Sequence, residues 1–363
     1  MKLVKLIALL LMMTTLLSVL AACNNGEQVP QDTEEETEVS NDHLYDENGY
    51  LKDQLPNDIH YGNKEVNIVA WKNHFGEFDP DISSTDQVDM AVYERNANVE
   101  ERFGVQLTYT VIPGDNDTQG DFVTAVENNL LSGDTVFDLV ASYSMCTMTM
   151  ATDGVLENLL DCEYLNFDNP WWPKTLTTQA TINGNLYGAS GDIAVSYYYS
   201  MFLIVMNKSV WNDFSLKGDI IQDVKSGEWT IDKMLTYAQE VHEDKNANGK
   251  DAADVYGLIF DHVVPFDMFL SGSNMKFVTQ TDSGKIKLGD DIMNISKGDA
   301  IITKLGTALQ NDYAYYGNKT ELSSAMVQGQ ALFYPCSISK LGTDIADGIS
   351  YDYYILPTPK YLS

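Results

Sequence analysis

The segment from Lys64 to Ser142 alternates β-branched runs with amphipathic runs, and this alternation limits the chain to few folds. Three runs predict strands: "KEVNIVAW" (64–71), "GVQLTYTVI" (104–112) and "VFDLVAS" (136–142). Two runs have apolar residues at helical spacing and predict helices: "QVDMAVYERNANVEERF" (87–103) and "DFVTAVENNLLSG" (121–133). Strand, helix, strand, helix, strand is typical of a parallel sheet flanked by helices, so we predict an α/β fold.

A second α/β unit is predicted for residues 208–345. It is preceded by an apolar strand that runs into a short helix, "MFLIVMNKSVWNDF" (201–214). A helix begins near Thr230, whose hydroxyl suits an N-cap. The remaining predicted elements are the strand "VYGLIF" (255–260), the helices "MNISKGDAIITKLGTALQND" (293–312) and "ELSSAMVQGQ" (321–330), and the strand "ALFYP" (331–335). The segment "ISYDYYILPTPK" (349–360) is predicted to be a strand that leaves this unit.

The amino terminus is typical of an export signal. Lys2 and Lys5 precede an apolar run that ends at Leu20-Ala21-Ala22-Cys23, too short for a membrane-spanning helix with polar flanks. Small residues followed by cysteine resemble the lipobox of bacterial lipoproteins, so residues 1–22 are predicted to be a signal peptide and Cys23 the lipidated residue. The alternative is an ordinary secretory signal in which Cys23 has no role.

Charge and cysteine content narrow the class of protein further. Residues 23–60 are acidic and poorly hydrophobic, which predicts a flexible tether. The formal net charge of −31, with 53 acidic against 22 basic residues, excludes nucleic acid as a partner. The remaining roughly 300 residues suffice for two lobes. Cys146, Cys162 and Cys336 have no metal-binding spacing; a Cys146–Cys162 disulfide and free thiols are both compatible with the sequence.

Aromatic residues among small polar ones suggest where a solute binds. In "NPWWPKT", prolines flank Trp171 and Trp172, which favours a loop over a helical stripe. Rings beside hydrogen-bonding side chains suit a sugar, whose C–H faces pack on aromatic faces. The other predicted ligand-binding residues are Trp71, at the carboxyl end of the first strand, and Asp192, Tyr197 and Tyr198. The alternatives are core packing for the rings and turn capping for Asp192.

The segment "DKNANGKDAADVYG" suggests a structural calcium loop. Asp244, Asn246 and Asn248 have the spacing of the first three ligands of such a loop, with Gly249 following. Position twelve is Val255 instead of a bidentate glutamate, so Asp251 and Asp254 would supply the missing carboxylates only if the loop curls differently, and Asp254 is taken as the fourth predicted ligand. The alternative is a polar turn between a helix and a strand.

Several segments, in this order, resemble the family 1 extracellular solute-binding proteins of ABC importers, in particular Gram-positive lipoproteins: "AVYERNANVEERFGV", "GDTVFDLV", "NPWW", "INGNLYGASGDIAVSYYYSMFLIVMNKSVW", "GEWTIDKML" and "DKNANGKDAADVYGL". The resemblance implies a two-lobe periplasmic-binding-protein-like (type II) α/β fold with a hinge and an interlobe cleft. It implies a first lobe at 61–207, a second at 208–345, and a return toward the first at 346–363. Family members continue well beyond "ILPTPK", so we expect the carboxyl-terminal part to be missing.

The resemblance and the aromatic residues predict a binding protein and not an enzyme. We expect a monomeric receptor, lipid-anchored on the extracellular face of the cell membrane, that captures an oligosaccharide or related polyhydroxylated solute for the permease subunits of an ABC importer. The sequence has no GxSxG, HExxH or GxxxxGK[ST] motif. The alternatives are an anchored glycoside hydrolase, whose carboxylate pair is set in space and not by spacing, and a non-transport carbohydrate-binding protein.

Overall fold

The computed structural model describes residues 44–47, 49–133, 137–261, 264–281, 284–290 and 296–362. The chain divides into two compact units, Met1–Leu55 and Pro56–Ser363. The signal peptide, Cys23 and most of the predicted tether lie outside the described residues. Within the described part, no helix is long and apolar enough to cross a membrane.

The strands form two main sheets and one hairpin. In chain order the strands are β1 (Lys64–Trp71), β2 (Val105–Ile112), β3 (Leu139–Ala141), β4 (Phe202–Asn207), β5 (His242–Glu243), β6 (Val255–Phe260), β7 (Val278–Gln280), β8 (Ile286–Leu288), β9 (Ala314–Tyr316), β10 (Ala331–Ser337) and β11 (Tyr353–Leu356). The smaller sheet has the order β2-β1-β3, and the larger sheet β11-β4-β10-β6-β5 with β9 also paired to β6. Strands β7 and β8 pair with each other.

Helices alternate with these strands. They are α1 (Gln87–Phe103), α2 (Gln119–Leu131), α3 (Ser144–Asp153), α4 (Lys174–Ala180), α5 (Val195–Tyr199), α6 (Lys208–Asp213), α7 (Ile220–Ser226), α8 (Ile231–Ala238), α9 (Val264–Gly272), α10 (Ser296–Leu309), α11 (Lys319–Val327) and α12 (Ile338–Lys340). Short 3-10 turns occupy Lys72–Glu77, Leu159–Asp161 and Ala346–Gly348, and a π turn occupies Leu341–Ile345.

The smaller sheet confirms the predicted parallel arrangement. Both neighbours of β1 run parallel to it, with Trp71 opposite Ile112 and Ala70 opposite Ala141. Helices α2 and α3 cover this sheet through a buried cluster that includes Phe122 and Met150. The parallel direction matters because the carboxyl ends of all three strands then lie at one edge, where open α/β sheets bind ligands.

Local capping signals explain where several helices begin and end. The carboxylate of Asp86 accepts hydrogen bonds from the amides of Val88 and Asp89 at the start of α1. Helix α1 ends at Gly104, which has a φ of 57° and lies so close to the His60 ring that a Cβ would be 2.2 Å from it. Thr230 is the N-cap of α8, as predicted, and its hydroxyl accepts from the amide of Lys233 at 3.1 Å.

Two segments differ from their predicted positions. Strand β4, predicted to end the first lobe at residue 207, lies inside the larger sheet between β10 and β11, antiparallel to both. Strand β11, predicted to leave the second unit, completes that same sheet. The physical reason is that Leu203–Met206 are apolar on both faces and are buried, as a central strand requires. Hydropathy identifies such a strand but not the sheet that it joins.

Candidate functional site

Three rings meet at the carboxyl edge of the smaller sheet. The Trp71 ring is nearly parallel to that of Tyr143, with centroids 5.5 Å apart and planes at 12°. His74 stacks on the same indole, with its ring centroid 4.6 Å away. Trp71 and Tyr143 are half-buried against the core of this sheet, whereas His74 is exposed. We call Trp71, His74 and Tyr143 the aromatic stack; it places aromatic rings at the edge where open α/β sheets bind ligands.

Polar residues are neighbours of the aromatic stack in the sequence. Asn73 donates its amide N–H to the carboxylate of Asp115, after β2, at 2.8 Å. The Asp115 carboxylate also accepts from the Thr118 hydroxyl, and this hydrogen bond, with a smaller contribution from Asn73, lowers the pKa of Asp115. Near the end of β3, the hydroxyls of Ser142 and Thr147 are 2.8 Å apart. The edge therefore combines ring faces with carboxylate, amide and hydroxyl groups.

Trp171 and Trp172 lie in a turn, which confirms the predicted loop. The amide of Trp172 donates to the carbonyl of Asn169 at 3.1 Å, and its ring lies 5.1 Å from that of Phe167. Both indoles are half-buried. Among the described residues, neither packs against one of the three buried apolar clusters. This arrangement is the one expected of rings outside a core.

The structure brings Trp171 together with the other predicted residues of this region. The amide of Asp192 donates to the carbonyl of Trp171 at 3.1 Å. The Asp192 carboxylate is exposed and accepts a hydrogen bond from the Tyr198 hydroxyl, which raises the pKa of Tyr198. The ring of Tyr197 meets that of Tyr198 edge-on at 5.6 Å. Trp171, Asp192, Tyr197 and Tyr198 thus form one connected group.

A cavity of about 230 Å³ joins the aromatic stack to helix α5. Its walls include His74 from the stack and Ser196 and Tyr199 from α5. Glu77, Val88, Asp89 and Val92 also line it. Helix α5 and His74 of the aromatic stack therefore border a common space at the carboxyl edge of the smaller sheet.

Sequence reasoning missed His74, Tyr143 and Glu77. The sequence predicts Trp71 because it ends the first strand, and the same rule applied to β3 points to Tyr143. His74 lies in the 3-10 turn directly after β1, so its position was also available from the edge rule. Glu77 had no local signal, because its partner Ser196 is 119 residues away.

In the predicted calcium loop, the side chains make hydrogen bonds to other groups of the loop itself. Asp244 accepts from the amides of Ala247 and Gly249, at 2.7 and 3.2 Å. Asn246 and Asn248 both donate to Asp251. Asp254 is fully buried, and its two oxygens accept from the amides of Lys245 and Asp251, which makes it a structural residue of the turn. In the described part of the chain, no group of three or more His, Cys, Asp or Glu could hold a metal, and calcium binding stays a prediction.

A second cavity and the cysteines Cys146, Cys162 and Cys336 include none of the predicted binding residues. A cavity of about 640 Å³ lies beside α9 and α10, with Ser273, Lys297 and Tyr361 in its lining. Cys146, Cys162 and Cys336 are free thiols, and Cys146 is buried while Cys162 is exposed. The possible Cys146–Cys162 disulfide is therefore absent.

Comparison with known proteins identifies the fold. No protein-family model matches the sequence, and no curated protein does. Among solved structures, the chain is similar to UspC of M. tuberculosis, with 14% identity, a TM-score of 0.53, and 82% of this chain and 68% of that chain covered. It is equally similar to a cyclo/maltodextrin-binding protein, with 12% identity, a TM-score of 0.53, and coverages of 83% and 66%. The chain thus has the two-lobe α/β fold of periplasmic-binding-protein-like proteins and spans about two thirds of these neighbours' length.

Proposed function

We propose that this protein is a solute receptor that captures an oligosaccharide, or a related polyhydroxylated solute, for an ABC importer. The observation that carries the proposal is the aromatic stack at the carboxyl edge of the smaller sheet. In a two-lobe fold, this edge borders the cleft between the lobes. Closure of the lobes around a solute is a hinge motion, and the closed form is what a permease would recognise.

The chemistry of the site supports a sugar as the solute. The exposed His74 ring, which stacks on the indole of Trp71, offers a face on which C–H groups of a pyranose can pack. The carboxylate of Asp192 and the hydroxyl of Tyr198 offer hydrogen bonds to hydroxyl groups. The cyclo/maltodextrin-binding protein with the same fold is complexed with maltotetraose, which agrees with this choice.

The proposal is tested with purified protein and a glycan library. A cognate glycan at about 100 times its Kd should stabilise the native state by roughly 2.7 kcal/mol, visible as a rise in Tm. After incubation the glycan should be recovered intact. New reducing ends would support the anchored glycoside hydrolase instead, and the absence of any Tm rise across oligosaccharides and polyols would contradict the proposed solute class.

We further propose that Cys23 carries the lipid anchor and that the receptor acts on the extracellular face of the membrane. One acyl chain gives only marginal membrane binding, so a lipoprotein depends on several chains. Cys23→Ala removes the residue that would carry these chains. The variant should therefore move from the membrane fraction into the medium, as measured by fractionation and immunoblotting. Cys162→Ser, which changes an exposed thiol, is the control and should stay on the membrane. Retention of the Cys23→Ala protein would show that another element anchors it.

A further inference from the structure

Helix α5 occupies the crossing between the two lobes. It carries Tyr197 and Tyr198, and only Ser200 and Met201 separate it from β4 of the larger sheet. On the far side, the carbonyl of Met201 accepts from the amide of Ile338, in α12, at 2.9 Å. The chain is thus attached to the larger lobe from Met201 onward. The contacts of α5 itself therefore determine which lobe carries Tyr197 and Tyr198.

Glu77 holds the first turn of α5. One carboxylate oxygen accepts from the amide of Ser196 at 2.7 Å and the other from the Ser196 hydroxyl at 3.0 Å. The N-cap residue, Ala194, supplies no side-chain hydrogen bond. A carboxylate at this position satisfies an amide that the helix leaves unpaired, and it matches the positive end of the helix dipole. Glu77 lies in the 3-10 turn after β1, so this contact belongs to the smaller lobe.

Arg95 of α1 reinforces the same attachment. Its guanidinium donates to the carbonyls of Ile193 and Glu77, each at 3.3 Å, and so links Glu77 to the segment just before α5. The side-chain oxygen of Asn96 accepts from Arg95 Nη2 at 2.9 Å and fixes the guanidinium. Burial lowers the pKa of Arg95. Two side chains of α1 thus support the contact that Glu77 makes to α5.

We propose that Glu77 is a positioning residue that clamps α5 to the smaller lobe. Tyr197 and Tyr198 then approach the solute from that lobe, beside the aromatic stack. The solute-binding part of this inference rests on the proposed function, whereas the clamp itself does not. Glu77 lines the cavity between His74 and Tyr199, so loss of the clamp would change the distance between the stack and the tyrosines.

The clamp is tested without solute by hydrogen exchange. Glu77→Ala removes both acceptors, and the amide of Ser196 should exchange at least about tenfold faster, as expected for loss of a hydrogen bond to a charged group. Glu77→Gln keeps an acceptor for the amide and a partner for the hydroxyl, and it should retain most of the protection. Asp138→Ala is the matched control, because that carboxylate accepts from the amide of Asn67 at 2.8 Å in the same lobe. Unchanged exchange of Ser196 in Glu77→Ala would overturn the clamp.

The positioning role is tested by titration with the glycan that stabilises the wild-type protein. Glu77→Ala should weaken affinity about tenfold, Glu77→Gln at most about threefold, and Asp138→Ala hardly at all. An affinity loss no greater than that of Asp138→Ala would make Glu77 merely structural and overturn the positioning role. If Glu77→Ala does not fold, Ser196→Ala replaces it and should still weaken binding; unchanged affinity overturns the role. If wild-type protein binds no glycan, the proposed function fails, while the exchange result still decides the clamp.

Discussion

Alanine in place of Trp171 or Trp172 is expected to weaken glycan affinity at least about tenfold in one of the two variants, with little change in the Tm of the solute-free protein. The two indoles are half-buried in a turn and, in the part of the chain that the structure describes, they do not pack on a buried cluster. Their removal therefore leaves the cores intact. A ring held at the edge of a cleft contributes to binding only when a solute face covers it.

Isothermal titration with the cognate glycan measures affinity, and calorimetry of the solute-free proteins measures stability. Trp229→Ala is the matched control, because Trp229 is 3% exposed, packs near Phe333 and donates its indole N–H to the carbonyl of Pro357 at 2.8 Å. Loss of that buried ring should cost about 3–5 kcal/mol of stability. If Trp171→Ala and Trp172→Ala both bind normally, or both unfold as Trp229→Ala does, the assignment of these rings to the site is wrong.

Local patterns predicted much of the fold because they are set by neighbouring residues. Strand β1 and helix α1 have the predicted bounds, since alternation and helical spacing are properties of the segment itself. The N-cap at Thr230 was predictable for the same reason. Where that helix, α8, ends depends on a distant contact: it stops at Ala238, shortly before His242 and Glu243 pair with β6.

Contacts distant in sequence were out of reach of such patterns. The sheet that β4 joins depends on pairing with β10 and β11, more than a hundred residues later. In the candidate site, the strand-edge rule points to Trp71 and to Tyr143 separately, but not to the stacking of their rings, which depends on the pairing of β1 with β3. The hydrogen bond between Asp192 and Tyr198 depends on the turn at Gly191 and on α5, whose attachment to Glu77 has no sign in the local sequence.

Substitution of Gly191 tests whether Trp171 and Asp192 act together in binding the solute. A Cβ at this position would lie 2.3 Å from the carbonyl oxygen of Trp171 and 2.8 Å from Cδ of Pro173. The backbone must therefore shift in Gly191→Ala, and the hydrogen bond from the Asp192 amide to that carbonyl should be lost. We expect glycan affinity to fall at least about tenfold although every ring and carboxylate is still present, and stability to fall by about 1–3 kcal/mol.

Gly120→Ala is the control for this variant, because Gly120 lies in α2 of the smaller lobe, where an added Cβ would meet no atom within 4 Å. Alanine favours a helix over glycine by about 1 kcal/mol, so this variant should be as stable as wild type or more stable, with unchanged affinity. Titration with the glycan and denaturant unfolding monitored by tryptophan fluorescence separate the two effects. Wild-type affinity in Gly191→Ala would mean that Trp171 and Asp192 reach the solute independently, because their junction could then be displaced without a loss of binding.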